Sequence, residues 1–354
     1  MVVSRQDAIC IALGAYGTPN GKVAHGLVRD GERFRVRAVI DPRCAGRDAG
    51  EVLDGIARGV PIVATVAEAL ERAGAAEVAV VGVATHGGRL ISEVRAAALE
   101  AARAGLSLVS GLHDALADDA EIAEVAAARG LRIIDLRAPV PRRELRFWTG
   151  EIAGVKTPRV AVLGTDCALG KRTTARMVTA ALGNRGVRAE MIYTGQTGWM
   201  QGGRFGIILD ALPNDYVSGE LEGAICACER ECAPDVMILE GQSSLRNPSG
   251  PCGAELILSG GARGVILQHA PGRRYFEGYE AQRLEIPDVA GELELLRCYG
   301  AEVLALALNG EGLSLEGLRA AQAELAARLG VPCVCPLEDG AEGLASVVGA
   351  YLGR

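Results

Sequence analysis

Twelve short apolar runs, separated by Ala-rich stretches of helical period, leave this chain few architectures. In the first half the runs are AICIALG (8–14), RVRAVID (35–41), PIVAT (61–65), EVAVVGVA (77–84), LSLVSGL (106–112) and LRIIDL (131–136). In the second half they are RVAVLG (159–164), AEMIYTG (189–195), DVMILEG (235–241), GVILQHA (264–270), VLALALNG (303–310) and VPCVCPL (331–337). A strand apolar on both faces must be covered on both faces. Strands that alternate with helices are joined by crossovers, so the rhythm predicts parallel sheets packed between helical layers. The pattern breaks at 138–158, where APVPRRELRFWTGEIAGVKTP carries three prolines, a basic cluster and no clean period. A boundary there divides the chain into two tandem three-layer α/β domains, 1–145 and 146–354.

Composition excludes several classes of function. With 37 basic and 44 acidic residues the net charge is −7, which disfavours a broad nucleic-acid footprint. No uninterrupted apolar run approaches the ~18 residues of a membrane span, and the start MVVSRQDAICIALGAYG passes straight into an apolar run. The expectation is a cytoplasmic homo-oligomer acting on a small molecule, with neither nucleic acid nor membrane as partner. Ten cysteines are present, with Cys226, Cys228 and Cys232 in one helical stretch. Cys228 and Cys232 share a face there and Cys226 does not, so they read as small buried hydrophobes in a reducing compartment rather than as a metal set.

The basic residues are unevenly chosen: only Lys22, Lys156 and Lys171 are lysines, and the other 34 are arginine. Two of the three lysines follow a glycine in a Gly-rich turn. The turn Gly164-Thr165-Asp166-Cys167-Ala168-Leu169-Gly170-Lys171-Arg172-Thr173-Thr174 lies between an apolar run and an Ala-rich helix. That context suits a phosphate-binding loop, in which glycines permit tight dihedrals, main-chain N–H groups point inward and an exposed lysine reaches the phosphates. It makes the second domain a P-loop NTPase-like parallel sheet. Five residues, not four, separate the two glycines, and Arg172 stands where Ser or Thr normally binds Mg²⁺, with Thr173 one place later.

Other strand ends of the second half supply further candidates. Glu240 closes DVMILEG, where a carboxylate either reaches Mg²⁺ or caps a helix. Asn309 closes another run and is a candidate for nucleobase contact. The stretch 193–203, YTGQTGWMQGG, offers Thr194, Gln196 and Thr197 to a small polar substrate. His269, Arg273 and Arg274 follow a further strand; paired arginines suit a carboxylate or phosphate, and His269 or Asp166 could serve as general base. In the first half, which reads as Rossmann-like, Lys22 follows the turn Gly14–Gly21 and is a candidate for an anionic substrate. Asp41 mimics a ribose-binding acid, but G-x-G-x-x-G is absent. The stretches 85–89 (THGGR) and 110–113 (SGLH) would gather with Lys22 on one rim of a doubly wound sheet.

GTDCALGKRTT, TGQTGWMQGG, LDALPNDYVSGELE and LEGQSSL, with GKVAHGLVRDG, VIDPRCAGRDAGEVLDG and SGLHDAL before them, resemble one family along nearly the whole chain. It is a bacterial and archaeal P-loop family long described only as a domain of unknown function, with members described as D-glutamate N-acetyltransferases. Its P-loop half is in turn similar to dethiobiotin synthetase, which shares the GTD…GK opening. The resemblance implies an acyltransferase of D-amino acid metabolism that moves acetyl from acetyl-CoA to an amine. Thr165, Asp166, Gly170, Lys171 and Thr173 would form the phosphate set, with Thr173 and Glu240 on Mg²⁺. The alternatives are an ATP-dependent ligase working through a phosphorylated intermediate, and a nucleotide-gated regulator. After Glu240-Gly241-Gln242 the chain reads SSLRNP (243–248), where relatives tend to show a glycine and a histidine.

Overall fold

The computed structural model describes residues 5–354. It divides into two compact units. One holds the chain through Val140 together with Gln196–Gly203, and the other holds Pro141–Gly195 together with Arg204–Arg354.

The first unit contains β1 (Gln6–Ile11), β2 (Phe34–Ile40), β3 (Ile62–Val63), β4 (Val78–Val81), β5 (Ser107–Ser110) and β6 (Ile133–Asp135). They form one sheet in the order β3-β2-β1-β4-β5-β6, with every pair parallel. That order is the Rossmann arrangement, with its switch point between β1 and β4. The sheet is covered on both faces because side chains alternate across it. Ile9, Ile11 and Ala79 pack with the helices Val66–Ala73 and Ser92–Arg103, whereas Ala8, Cys10 and Val80 pack with the helix Lys22–Asp30.

The second unit contains β7 (Arg159–Gly164), β8 (Ala189–Tyr193), β9 (Phe205–Gly206), β10 (Val236–Glu240), β11 (Gly264–His269), β12 (Glu302–Leu308) and β13 (Cys333–Val334). Its order is β13-β12-β11-β7-β10-β8-β9, again wholly parallel. Val160, Val162 and Ile238 face the helices Lys171–Asn184 and Glu342–Tyr351. Ala161, Leu163 and Leu239 face the helices Asn214–Cys232 and Val289–Cys298. The fold is therefore two three-layer α/β domains. Every one of the twelve expected runs overlaps a strand. The thirteenth strand, β9, has two residues, one of them glycine, too few to show a period.

Cys228 and Cys232 do meet on one face of their helix, with sulfurs 3.8 Å apart. Among the described residues, no helix is long and apolar enough to cross a membrane.

Candidate functional site

At the carboxyl end of β7 the chain turns through Thr165–Gly170 into the helix Lys171–Asn184. Gly164 cannot be replaced cheaply, because a Cβ there would lie 3.0 Å from Lys171 Cδ and 3.2 Å from the Gln268 carbonyl oxygen. Gly170 enters the helix at φ 101°, a region closed to side chains, and Ala168 sits at φ 54°. Three loop carbonyls are taken by side chains. Asp166 O accepts from Lys171 Nζ at 2.6 Å, Cys167 O from Arg273 Nη1 at 2.8 Å and Leu169 O from Asn309 Nδ2 at 3.0 Å. The N–H groups of Asp166, Cys167, Ala168, Leu169 and Gly170 meet no acceptor among the described residues. Carbonyls held by side chains and N–H groups left open make a concave anion nest at the head of a helix.

Lys171 is buried, not exposed as its place in a loop suggested. Burial pushes its ammonium down to about 8, against the opposing pull of Cys167, Asp166, Cys252 and Glu240. Asp166 is fully buried and saturated: Oδ1 accepts from Asn247 Nδ2 at 3.0 Å, and Oδ2 from Arg273 Nη1 at 2.9 Å and the Glu277 N–H at 2.8 Å. A carboxylate held by three donors, one a guanidinium, anchors the loop and has both oxygens committed there. Arg273 reaches Glu311 and Glu277 as well, so it braces the loop rather than clamping a substrate. Arg274 is exposed and paired with Glu285. Asn309 is likewise a brace: its Oδ1 accepts the Glu311 N–H at 2.9 Å while its amide holds Leu169.

β10 lies beside β7 with Glu240 opposite Val162, which sets Glu240 next to the loop. Burial raises its carboxyl, opposed by Arg172, the Thr194 N–H, Lys171 and Arg176. Thr194 N donates to Glu240 Oε2 at 3.1 Å, its hydroxyl to the Glu240 carbonyl at 2.8 Å, and Gln242 donates to Thr194 O. Thr194 thus ties β8 to β10. His269 Nδ1 and Thr165 Oγ1 are 2.9 Å apart, and burial drives the imidazole down to about 4, so it is neutral at physiological pH. Thr173 is half-buried in the first turn of the helix, and Thr174 donates to Gln268 Oε1 at 2.6 Å. The groups that could hold Mg²⁺ are the Thr173 hydroxyl, one place later than usual, and the Glu240 carboxylate; Arg172 holds the place of the usual hydroxyl and Thr174 is committed to Gln268.

Gln196 and Thr197, expected beside the loops of the second sheet, belong to the first unit. Arg33 Nε donates to Trp199 O at 2.9 Å with its guanidinium 4.1 Å over the indole, and Gln201 Nε2 donates to Gly26 O at 2.8 Å. Gln196 Cγ lies 2.6 Å from where a Cβ on Gly111 would stand. On the rim of the first sheet, Ala84 N donates to Asn20 O at 2.8 Å and His113 N to Gly88 O at 2.8 Å, which gathers the turns after β1, β4 and β5. Lys22 is exposed at the head of its helix. Asp41 is buried, accepting from Tyr16 N at 2.8 Å and Arg43 N at 2.9 Å, and so is a structural acid. The residues that sequence reading missed are Asn247, Gln268 and Arg176; only Arg176 carried a signal, its i,i+4 spacing from Arg172.

Residues 146–345 match the family model described as a domain of unknown function, DUF1611, P-loop domain. Residues 42–139 match its companion, a Rossmann-like domain. The chain belongs to the DUF1611 family. A crystal structure of a DUF1611 family protein from Anabaena variabilis is similar over 98% of this chain and 100% of that one, with 30% identity and a TM-score of 0.89. A D-glutamate N-acetyltransferase of Tritonibacter scottomollicae is 31% identical over 79% of this chain and 83% of its own. A second protein of that name, from a Pseudoalteromonas species, is 29% identical over 75% and 79%. The loop just described thus lies in the P-loop domain of a DUF1611 protein.

Proposed function

We propose that this chain is an enzyme that transfers the acetyl group of acetyl-CoA to the amine of a small amino acid, with D-glutamate, named for its relatives, as the first acceptor to test. One observation carries the reading. Five successive loop N–H groups without an acceptor lead to a buried ammonium at a helix head, an arrangement that suits the phosphates of a coenzyme. The loop and Lys171 would hold the donor's phosphates, with Asp166, Arg273 and Asn309 keeping the loop shaped.

In the chemical step the amine nitrogen attacks the thioester carbonyl, the C–N bond forms and the C–S bond breaks, and the thiolate leaves. The ammonium of the acceptor must first lose a proton. Asp166 is saturated by its donors, and burial lowers the His269 imidazole to about 4, which makes it a weak base, so the acceptor is drawn from solution as the free amine, its proton already lost to water.

The test is thiol release from acetyl-CoA with D-glutamate present and ATP omitted. Acceptor-dependent thiol release supports the transferase. ADP release that depends on the amino acid, with no thiol released, would overturn it in favour of a ligase.

A further inference from the structure

We infer that Asn247 is a positioning residue of the phosphate site: its side-chain amide fixes Asp166, and through Asp166 holds the loop Thr165–Gly170 in the form that leaves its N–H groups open to a ligand. The inference rests on the proposed reading of that loop as a phosphate site, and assigns the residue that keeps the loop shaped before a ligand arrives.

Local sequence orients the amide. After β10 the chain runs Gln242-Ser243-Ser244-Leu245-Arg246-Asn247-Pro248-Ser249-Gly250-Pro251-Cys252, and Cys252 N closes this segment by donating to Ser244 O at 3.0 Å. Asn247-Pro248 starts a turn within it, in which Asn247 Oδ1 accepts from Ser249 N at 2.9 Å and from Ser249 Oγ at 2.8 Å. With Oδ1 taking both donors the amide has one orientation, and Nδ2 is the end left for the phosphate loop. It donates to Asp166 Oδ1 at 3.0 Å and to Cys167 Sγ at 3.6 Å. Arg246 pins the same segment to the head of the helix Val289–Cys298, donating to Asp288 O at 2.9 Å and to Glu292 Oε2 at 2.5 Å.

The division of donors makes this contact decisive. Asp166 and Asn247 are both buried, and Arg273 and the Glu277 N–H both serve Asp166 Oδ2. Among the described residues Asn247 is therefore the sole donor to Oδ1. A buried carboxylate oxygen without a donor costs free energy, and the loop recovers part of it by turning that oxygen to water. The turn would carry along the Asp166 carbonyl, which Lys171 Nζ holds at 2.6 Å, and with it the row of N–H groups that follows. The charged and titratable groups at the contact are thus Asp166 and Cys167 on the loop, Lys171 on the helix after it and Arg273 on the turn after β11.

The experiment is calorimetric titration of the whole chain with acetyl-CoA and with inorganic pyrophosphate, wild type beside Asn247→Asp, from about pH 8 to about pH 5. Asn247→Asp keeps the side chain's shape and sets a carboxylate against Asp166 Oδ1. With one proton shared between the two groups, an O–H takes the place of the lost N–H. Affinity relative to wild type at the same pH is expected to fall about tenfold or more at neutral pH and to return to within about twofold at about pH 5. A loss that is the same at every pH, or no loss at all, would overturn the inference. Melting curves at each pH check folding. Where Asn247→Asp does not fold at neutral pH, Asn247→Ser, too short to reach Asp166, decides: about tenfold loss in a folded variant supports the inference and wild-type affinity overturns it. Loss and recovery seen with pyrophosphate, with no binding of acetyl-CoA to the wild type, would support the inference and sink the acetyl-donor reading. Failure of the wild type to bind either probe would overturn both.

Discussion

Replacing Lys171 with methionine, an uncharged side chain of similar length, separates what the ammonium does for a ligand from what it costs the fold. Its ordinary value of 10.5 falls to about 8 in the folded protein, chiefly through burial. The folded state therefore holds this proton less tightly than the unfolded one. The penalty is complete below about 8, fades as pH rises and is gone above 10.5, and it amounts to about 3 kcal/mol. Lys171→Met also removes the bond from Nζ to Asp166 O, worth about 1 kcal/mol. The variant should be about 2 kcal/mol more stable than wild type at neutral pH, while losing phosphate binding. Urea unfolding read by Trp148 in a Trp199→Phe background follows the P-loop unit, which contains Trp148 but not Trp199. The stability gap should close between pH 8 and 10.5. A variant that is less stable at neutral pH, with a gap indifferent to pH, would refute the reasoning.

Three further outcomes are expected. Acetyl-CoA affinity in the wild type should fall as pH rises through about 8, where Lys171 loses its charge, and Lys171→Arg should flatten that profile; a flat wild-type profile by calorimetry would count against the ammonium as a phosphate ligand. Arg273→Ala should cost about 3 kcal/mol, because it leaves the buried Asp166 carboxylate without its guanidinium, and Asp166→Asn less, because Arg273 keeps Glu277 and Glu311; a double variant should be far less than additive, as urea titrations can measure. His269 holds its proton less tightly when folded, so stability should drop as pH falls from 6.5 towards about 4, by up to about 3 kcal/mol; His269→Asn should remove that part of the acid slope. An unchanged slope would assign the acid sensitivity elsewhere.

The strands were legible because a buried parallel sheet writes itself as continuous apolar runs, as in RVAVLG and DVMILEG. The phosphate loop was legible because Gly164, Gly170 and Lys171 stand where backbone geometry and charge require them. Partners distant in sequence were not. Nothing local says that Arg273 ends on Asp166, 107 residues back, or that Asn309 ends on Leu169; both look like ligand-facing groups until the fold supplies a neighbour. Asp166 looked like a base for the same reason. Gln196–Gly203 is flanked by strands of the second sheet, yet Trp199 and Gln201 find their partners on the first unit. Lys171 illustrates a third limit: a residue in a loop reads as exposed, and only packing across Gly164 shows otherwise.

The measurement that bears most directly on the account is the backbone amide spectrum of the ¹⁵N-labelled chain as acetyl-CoA is added. The N–H signals of Asp166, Cys167, Ala168, Leu169 and Gly170, open in the free protein, should move downfield together as phosphate oxygens accept from them. Saturation of the ligand with those five signals unmoved, and shifts confined to the first unit, would contradict it.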